Sequence, residues 1–220
     1  MMIAVPASAQ TFGSAVTDNS VGPFGRDALF DPFVFGAVAQ TFVTPAGSPV
    51  LQSFTFYLGD FIGGADLRVQ ASIFAFNTNR LVGPALYTST VRNGSTDESG
   101  FTPFLFSGVN LLLTPATTYA FLLRPTAATP DGSSNLVATS QTNTFTLGSL
   151  FTSTATSDAA LAANGAFTQS TANTFGADAA LTATFGPATT TVPEPSTVLL
   201  VATGLGVVGM LARRKAKNAA

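Results

Sequence analysis

Four groups of residues have types and spacings that chemistry can use. The first is Pro193-Glu194-Pro195, a lone carboxylate between two prolines. Each ring fixes its backbone torsion and removes a donor, so the triplet is extended and outside helix or sheet pairing, which suits presentation to a protease. The simpler role of the same prolines is to stop a strand and a helix. The second group is Arg213, Arg214, Lys215 and Lys217, four cations within five positions. Such a cluster beside an apolar run stays in the cytoplasm and so fixes topology. The third is Ala7-Ser8-Ala9 before Gln10. With Ala7 and Ala9 small, this is an A-x-A signal-cleavage site. The fourth is Asp60 and Asp66, which flank Gly63-Gly64. Calcium takes several oxygen ligands, and these two loop carboxylates are the best candidates for holding one. Their simpler role is turn formation.

Other chemistry is closed off by composition. The chain has no Cys and no His among its 220 residues. Thiol nucleophiles, thiolate metal sites and disulfides are therefore absent, and so are Ser-His-Asp and Cys-His catalysis. Asp97-Glu98 is the only adjacent pair of acids, and it sits in the turn-like run Asn93-Gly94-Ser95-Thr96-Asp97-Glu98-Ser99-Gly100. That composition reads as a solvated loop. The two carboxylates of a glycoside hydrolase need not be adjacent, so spacing alone leaves that reaction open. Gly204-Leu205-Gly206-Val207-Val208-Gly209 matches G-x-G-x-x-G literally. A dinucleotide site needs a following helix within a βαβ unit and a later acid. Only 11 residues follow Gly209, and none is acidic.

The element behind the proline triplet is an apolar span, 195–212, whose uncharged stretch runs from Ser196 to Ala212. As a helix this stretch is about 26 Å long, close to the ~30 Å hydrocarbon core, and snorkelling arginines extend its reach. Ala202 and Gly206 form a small-xxx-small pair suited to close helix approach. Charge gives the span a direction. Up to Glu194 there are 11 acids against five arginines and no lysine, a balance of −6; the four tail cations bring the whole chain to −2. Tail inside and domain outside follow. At the other end, residues 1–9 lack a cationic region and a full apolar stretch, and they read as the last part of a signal peptide.

Residues 10–186 are long enough for one domain with a sizeable core. Phenylalanine supplies 20 of the aromatic residues, beside three Tyr and no Trp. Short segments with strand character recur between Gly, Pro, Asn and Asp: Ser53–Leu58, Leu67–Phe76, Ala85–Arg92, Phe101–Phe106, Leu111–Leu113, Thr118–Arg124 and Asp178–Phe185. Segment 20–38 is less regular and suits a capping hairpin. Asp158 to Ala163 is one helical turn or nothing. Some 8–10 strands at this spacing predict an all-β, antiparallel β-sandwich, with Phe and Leu on alternate positions filling two inner faces. The phenylalanines are accordingly core before they are a ligand platform.

Residues 193–217, introduced by Val192, resemble the PEP-CTERM sorting signal of Gram-negative bacteria: Pro-Glu-Pro, an apolar helix, then Arg213-Arg214-Lys215. The resemblance implies recognition by an exosortase, a membrane-embedded cysteine protease cutting near the triplet, with Pro193, Glu194 and Pro195 as the recognition element. Ahead of it, Gln40-Thr41-Phe42, Leu51 to Leu58, Gly83 to Ser89 and Leu111 to Tyr119 resemble the ectodomains often found with that signal. Those are jelly-roll-like and similar to carbohydrate-binding modules. Exopolysaccharide-producing bacteria carry such systems, so the resemblance implies a biofilm-matrix role.

The expected organisation is a signal-peptide remnant at 1–9, a jelly-roll-like ectodomain at 10–186, a tether at 187–192 and the sorting signal at 193–217. Within the signal, 195–212 is a single C-terminal transmembrane α-helix and 213–217 a basic cytoplasmic tail. The expected partners are exosortase, the membrane and exopolysaccharide. Without a basic patch outside the tail, nucleic acid is not among them. No cofactor is expected apart from the calcium candidate. Three functions fit, in descending order: an exported, non-enzymatic surface or matrix protein; a weak carbohydrate-binding module, membrane-held or released; and an exported hydrolase. The protein is expected first in the inner membrane with its domain outside, then at the cell surface or free. N-terminal sequencing of the exported protein is expected to start at Gln10; a chain still starting at Met1 contradicts the signal-peptide reading.

Overall fold

The computed structural model describes residues 8–17, 19–24, 35–60, 66–95, 100–126, 135–140, 148–170 and 178–188. The chain divides into two units, Met1–Ala188 and Thr189–Ala220, and every described residue lies in the first.

Two antiparallel sheets carry almost all the regular structure. One is built around β4 (Val50–Asp60). On one flank β4 pairs with β8 (Thr102–Leu112). On the other flank, β14 (Leu181–Gly186) pairs with Val50–Phe56 of β4, and β10 (Asn135–Ser140) pairs with Leu58–Asp60. Outside these lie β1 (Gln10–Ser14) on β14, and β2 (Asn19–Phe24) and β13 (Asp178–Ala179) on β10. In the second sheet β3 (Ala37–Val43) pairs with β9 (Thr118–Pro125), and β9 with β5 (Asp66–Asn77). β11 (Leu150–Ser153) and then β12 (Thr168–Gln169) extend it beyond β3. Beyond β5 lie β6 (Arg80–Thr88) along Ser72–Asn77 and β7 (Arg92–Ser95) along Asp66–Val69.

The core between the sheets is aromatic. The rings of Phe106, Phe54, Phe121, Phe42, Phe185 and Phe12 touch in sequence, with centroids 4.9, 4.9, 4.2, 5.7 and 5.7 Å apart. Phe106 and Phe54 belong to the β4 sheet, Phe121 and Phe42 to the β9 sheet, and Phe185 and Phe12 to the β4 sheet again. The ladder thus crosses between the layers twice. All but Phe12 are essentially fully buried. Alternation on β4 sets this up: Phe54, Phe56 and Leu58 point in, while Thr55 and Tyr57 are partly exposed.

Alternation fails on β3, β5 and β9, and a second core explains it. Tyr119 to Leu123 are all buried, as are Ile73-Phe74 and Ala37 to Phe42. The outer face of the β9 sheet carries Ala37, Ala39, Phe74, Phe76, Ala120, Leu122 and Phe151, covered by Leu161 and Phe167. These two come from a lid, residues 154–167, which contains the only described helix, α1 (Asp158–Leu161). Ser157 caps it by accepting a hydrogen bond from the Ala160 N–H, and Arg124 pairs with Asp158. With Asp158 exposed, the pair adds little stability but links α1 to β9. The lid begins so close to Gly36 that a Cβ there would lie 2.7 Å from Thr156 Cγ2 and 2.9 Å from the Ala155 oxygen.

The expected 8–10 strands become fourteen among the described residues. Phe101–Phe106 and Leu111–Leu113 turn out to be one strand, β8, interrupted by a bulge. Three residues, Gly108 to Asn110, stand opposite Gln52 alone, and Gly108 and Asn110 take positive φ of 70° and 46°. Ala85–Arg92 straddles β6 and β7, and Asp178–Phe185 is divided at Ala180. The helical turn at Asp158 forms. In segment 20–38, residues 25–34 lie outside the described residues, as does the Asp97-Glu98 loop.

Phe54 contacts the rings of Phe56, Tyr87, Phe106 and Phe121. Phe54→Ala is therefore expected to cost about 3–5 kcal/mol in chemical denaturation. Leu112→Ala, at a residue 65% exposed, should stay within about 0.5 kcal/mol of the parent.

Candidate functional site

The sorting residues Pro193, Glu194, Pro195, Arg213, Arg214, Lys215 and Lys217 lie outside the described residues, as does the expected span 195–212. Among the described residues no helix is long and apolar enough to cross a membrane. What is described is the strand that leads to the tether. β14 is held by β4 along one side and β1 along the other, and Pro187 and the exposed Ala188 follow it. The last strand of the domain is therefore interior to its sheet.

At the N-terminal end Ala9 is exposed, while Ala7 lies outside the described residues. Gln10 pairs with Phe185 as the first rung of β1. Removing residues 1–9 would leave every pairing of β1 in place.

Asp60 ends β4 and Asp66 begins β5; the five residues between them lie outside the described residues. Among the described residues no group of three or more metal-binding side chains stands together. The three tyrosines are not a stacking surface. Tyr119 is buried, and its hydroxyl accepts from the Thr114 N–H at 3.2 Å. Tyr87 packs edge-on to Phe54, 6.4 Å between centroids. Burial pushes its phenol above the ordinary value, against a weaker lowering by Arg92, which leaves it a poor acid at neutral pH. Tyr57 is partly exposed on the outer face of β4.

Two polar arrangements stand out that spacing alone does not reveal. The first is inside. Gln40 of β3 donates from Nε2 to Asp178 Oδ1 at 2.7 Å and to the Thr41 carbonyl at 3.1 Å; its Oε1 accepts from the Ala179 N–H at 2.7 Å. Gln40 and Asp178 are both fully buried, and they join the two sheets. A buried carboxylate needs such partners, because losing one leaves it to bear its full desolvation cost. Neither residue is exposed, and the pair reads as a register pin.

The second is a cleft of about 220 Å³ on the outer face of the β9 sheet. Phe76 and Phe151 form its floor, with centroids 5.0 Å apart. Thr41, Asn77, Thr118 and Gln169 stand around them. Among the described residues no charged side chain lines it. The cleft follows from side-chain alternation: Thr41, Phe76, Thr118 and Phe151 all point away from the inner core on adjacent strands.

Residues 191–215 match the family model of the PEP-CTERM protein-sorting motif. The match takes in the Pro-Glu-Pro triplet and Arg213 to Lys215; Lys217 lies just beyond it. The motif indicates an exported protein that an exosortase processes at the membrane, near its C-terminal end. No curated protein and no solved structure matches the chain.

Gln40→Leu is expected to cost at least about 1–3 kcal/mol in equilibrium unfolding, because it strips one partner from Asp178 and from the Ala179 N–H. Changing Gln40 and Asp178 to leucine together should cost less than the sum of the two single changes. Strict additivity would show that the pair does not act as a unit.

Proposed function

We propose that this chain, which carries a PEP-CTERM protein-sorting motif, is an exported, non-enzymatic surface or matrix protein. Its all-β domain is jelly-roll-like and lies outside the cytoplasm, tethered through a single C-terminal span. An exosortase recognises Pro193-Glu194-Pro195 and releases the domain to the cell surface or the exopolysaccharide matrix. The motif match over residues 191–215 carries the reading. The residue inventory supports the absence of catalysis: no Cys, no His, and the buried carboxylate of Asp178 engaged by Gln40. The asymmetry between an acidic domain and a basic tail supports the orientation.

A weak carbohydrate-binding role is the second reading, favoured by the uncharged cleft over Phe76 and Phe151. It is compatible with the first, since a matrix protein gains from holding its polysaccharide.

Glu194→Ala removes the one charged group of the triplet. The variant is expected to remain full-length in the inner membrane, read by immunoblot of fractionated cells with a tag in the 187–192 tether. Processing at the parental rate would sink the sorting role of the triplet.

A further inference from the structure

The turn at the rim of the cleft is strained. Thr78 joins β5 to β6 and has φ of 58°. The Asn79 N–H donates to the Asn77 carbonyl at 2.7 Å, which makes Thr78 the centre of a three-residue turn with positive φ, a rare and strained form. A β-branched residue is poorly suited to that conformation, and glycine is the ordinary choice. The surroundings hold it there. Asn79 accepts at its carbonyl from the Phe167 N–H and at Oδ1 from the Gly165 N–H, so the lid clamps the turn. Thr78 Oγ1 donates to Asn77 Oδ1 at 3.0 Å. Strain maintained by surrounding contacts is a mark of a site where side-chain placement matters more than stability.

The lining defines what fits. With no charged side chain among the described residues that line it, an ionic ligand would lose hydration without a partner there. Hydroxyls and amides ring the cleft: Thr41, Thr78, Thr118, Ser149, and the amides of Asn77 and Gln169. Part of this ring is already arranged. Gln169 Nε2 donates to Ser149 Oγ at 3.0 Å, and the Ser149 N–H donates to Thr41 Oγ1 at 2.8 Å. The floor is two phenyl rings, sunk to 7% and 8% exposure. The volume is below the ~300–1,000 Å³ of pockets that take drug-sized ligands, so one ring fits and a long chain does not.

We propose that this cleft binds a single neutral, polyhydroxylated ring: one sugar residue of an uncharged glycan. Its apolar face lies over the edges of Phe76 and Phe151, and its hydroxyls meet Asn77, Thr118 and Gln169. The proposal rests on the saccharide-associated reading above and gives it a location. With so little ring surface exposed, the affinity is weak, with Kd on the order of 1 mM.

The test titrates the full chain with the methyl glycosides of glucose, galactose, mannose and N-acetylglucosamine, followed by NMR, with glucuronate as a charged comparison. At least one neutral glycoside is expected to bind in the millimolar range and glucuronate more weakly. Thr118→Ala combined with Gln169→Ala, both at exposed positions, should weaken binding at least tenfold without changing the unfolding midpoint. Thr78→Gly should raise the midpoint and lower the affinity. Absence of binding by every neutral glycoside, or a double variant that binds like the parent, overturns the site. Retention of parent and double variant on exopolysaccharide purified from the source bacterium separates the two ideas. Equal retention keeps matrix association and removes the cleft; failure of the parent to be retained removes matrix association.

Discussion

The fold depends on stacking phenylalanine across two layers. The chain has no cysteine to crosslink it, and charged residues make up only 9% of it. Cohesion must come from apolar burial, at roughly 1.5–3 kcal/mol for each fully buried Phe, with a further ~0.5–1.5 kcal/mol for a well-placed ring pair. The ladder from Phe106 to Phe12 places those rings so that each sheet supplies partners to the other. This also suits a protein that folds after export, since nothing in its core waits for an oxidant.

Concentrating so much apolar surface has a consequence for the second sheet. β3, β5 and β9 carry buried side chains on both faces, alanines on the outer face of β3 and larger residues on β5 and β9, so that face needs cover. Among the described residues the lid with Leu161 and Phe167 supplies it but does not reach the whole sheet. Where it stops, the floor of Phe76 and Phe151 meets threonine and amide side chains, and the cleft forms. The margin of a structural core is thus also the place proposed for a neutral ligand. The Gln40–Asp178 pair acts in the opposite sense: a polar contact between layers otherwise held by non-directional burial, it favours one register over others.

Much of this was legible in the residues. Alternation along Ser53–Leu58 and Leu67–Phe76 placed β4 and β5, and Phe on alternate strand positions pointed to Phe as core. The sorting motif was readable because its three parts are contiguous in sequence. The second core was not legible: Ile73-Phe74-Ala75-Phe76 has the same letters whether one face or both are covered, and only the return of residues 154–167 decides. The β8 bulge was hidden because Gly108 and Asn110 look like the end of a strand. The Gln40–Asp178 bond joins residues 138 positions apart, and a buried glutamine has no local signature. The cleft draws on five segments, so no window of sequence contains it.

In the function proposed, the C-terminal segment is a temporary hold which an exosortase releases. The most direct measurement is the intact mass of the protein recovered from its own bacterium with and without a functional exosortase. With the enzyme, the chain should lack everything beyond the Pro193-Glu194-Pro195 region; without it, the chain should retain Arg213 to Lys217 and stay in the inner membrane. The same C-terminus in both strains would contradict the account.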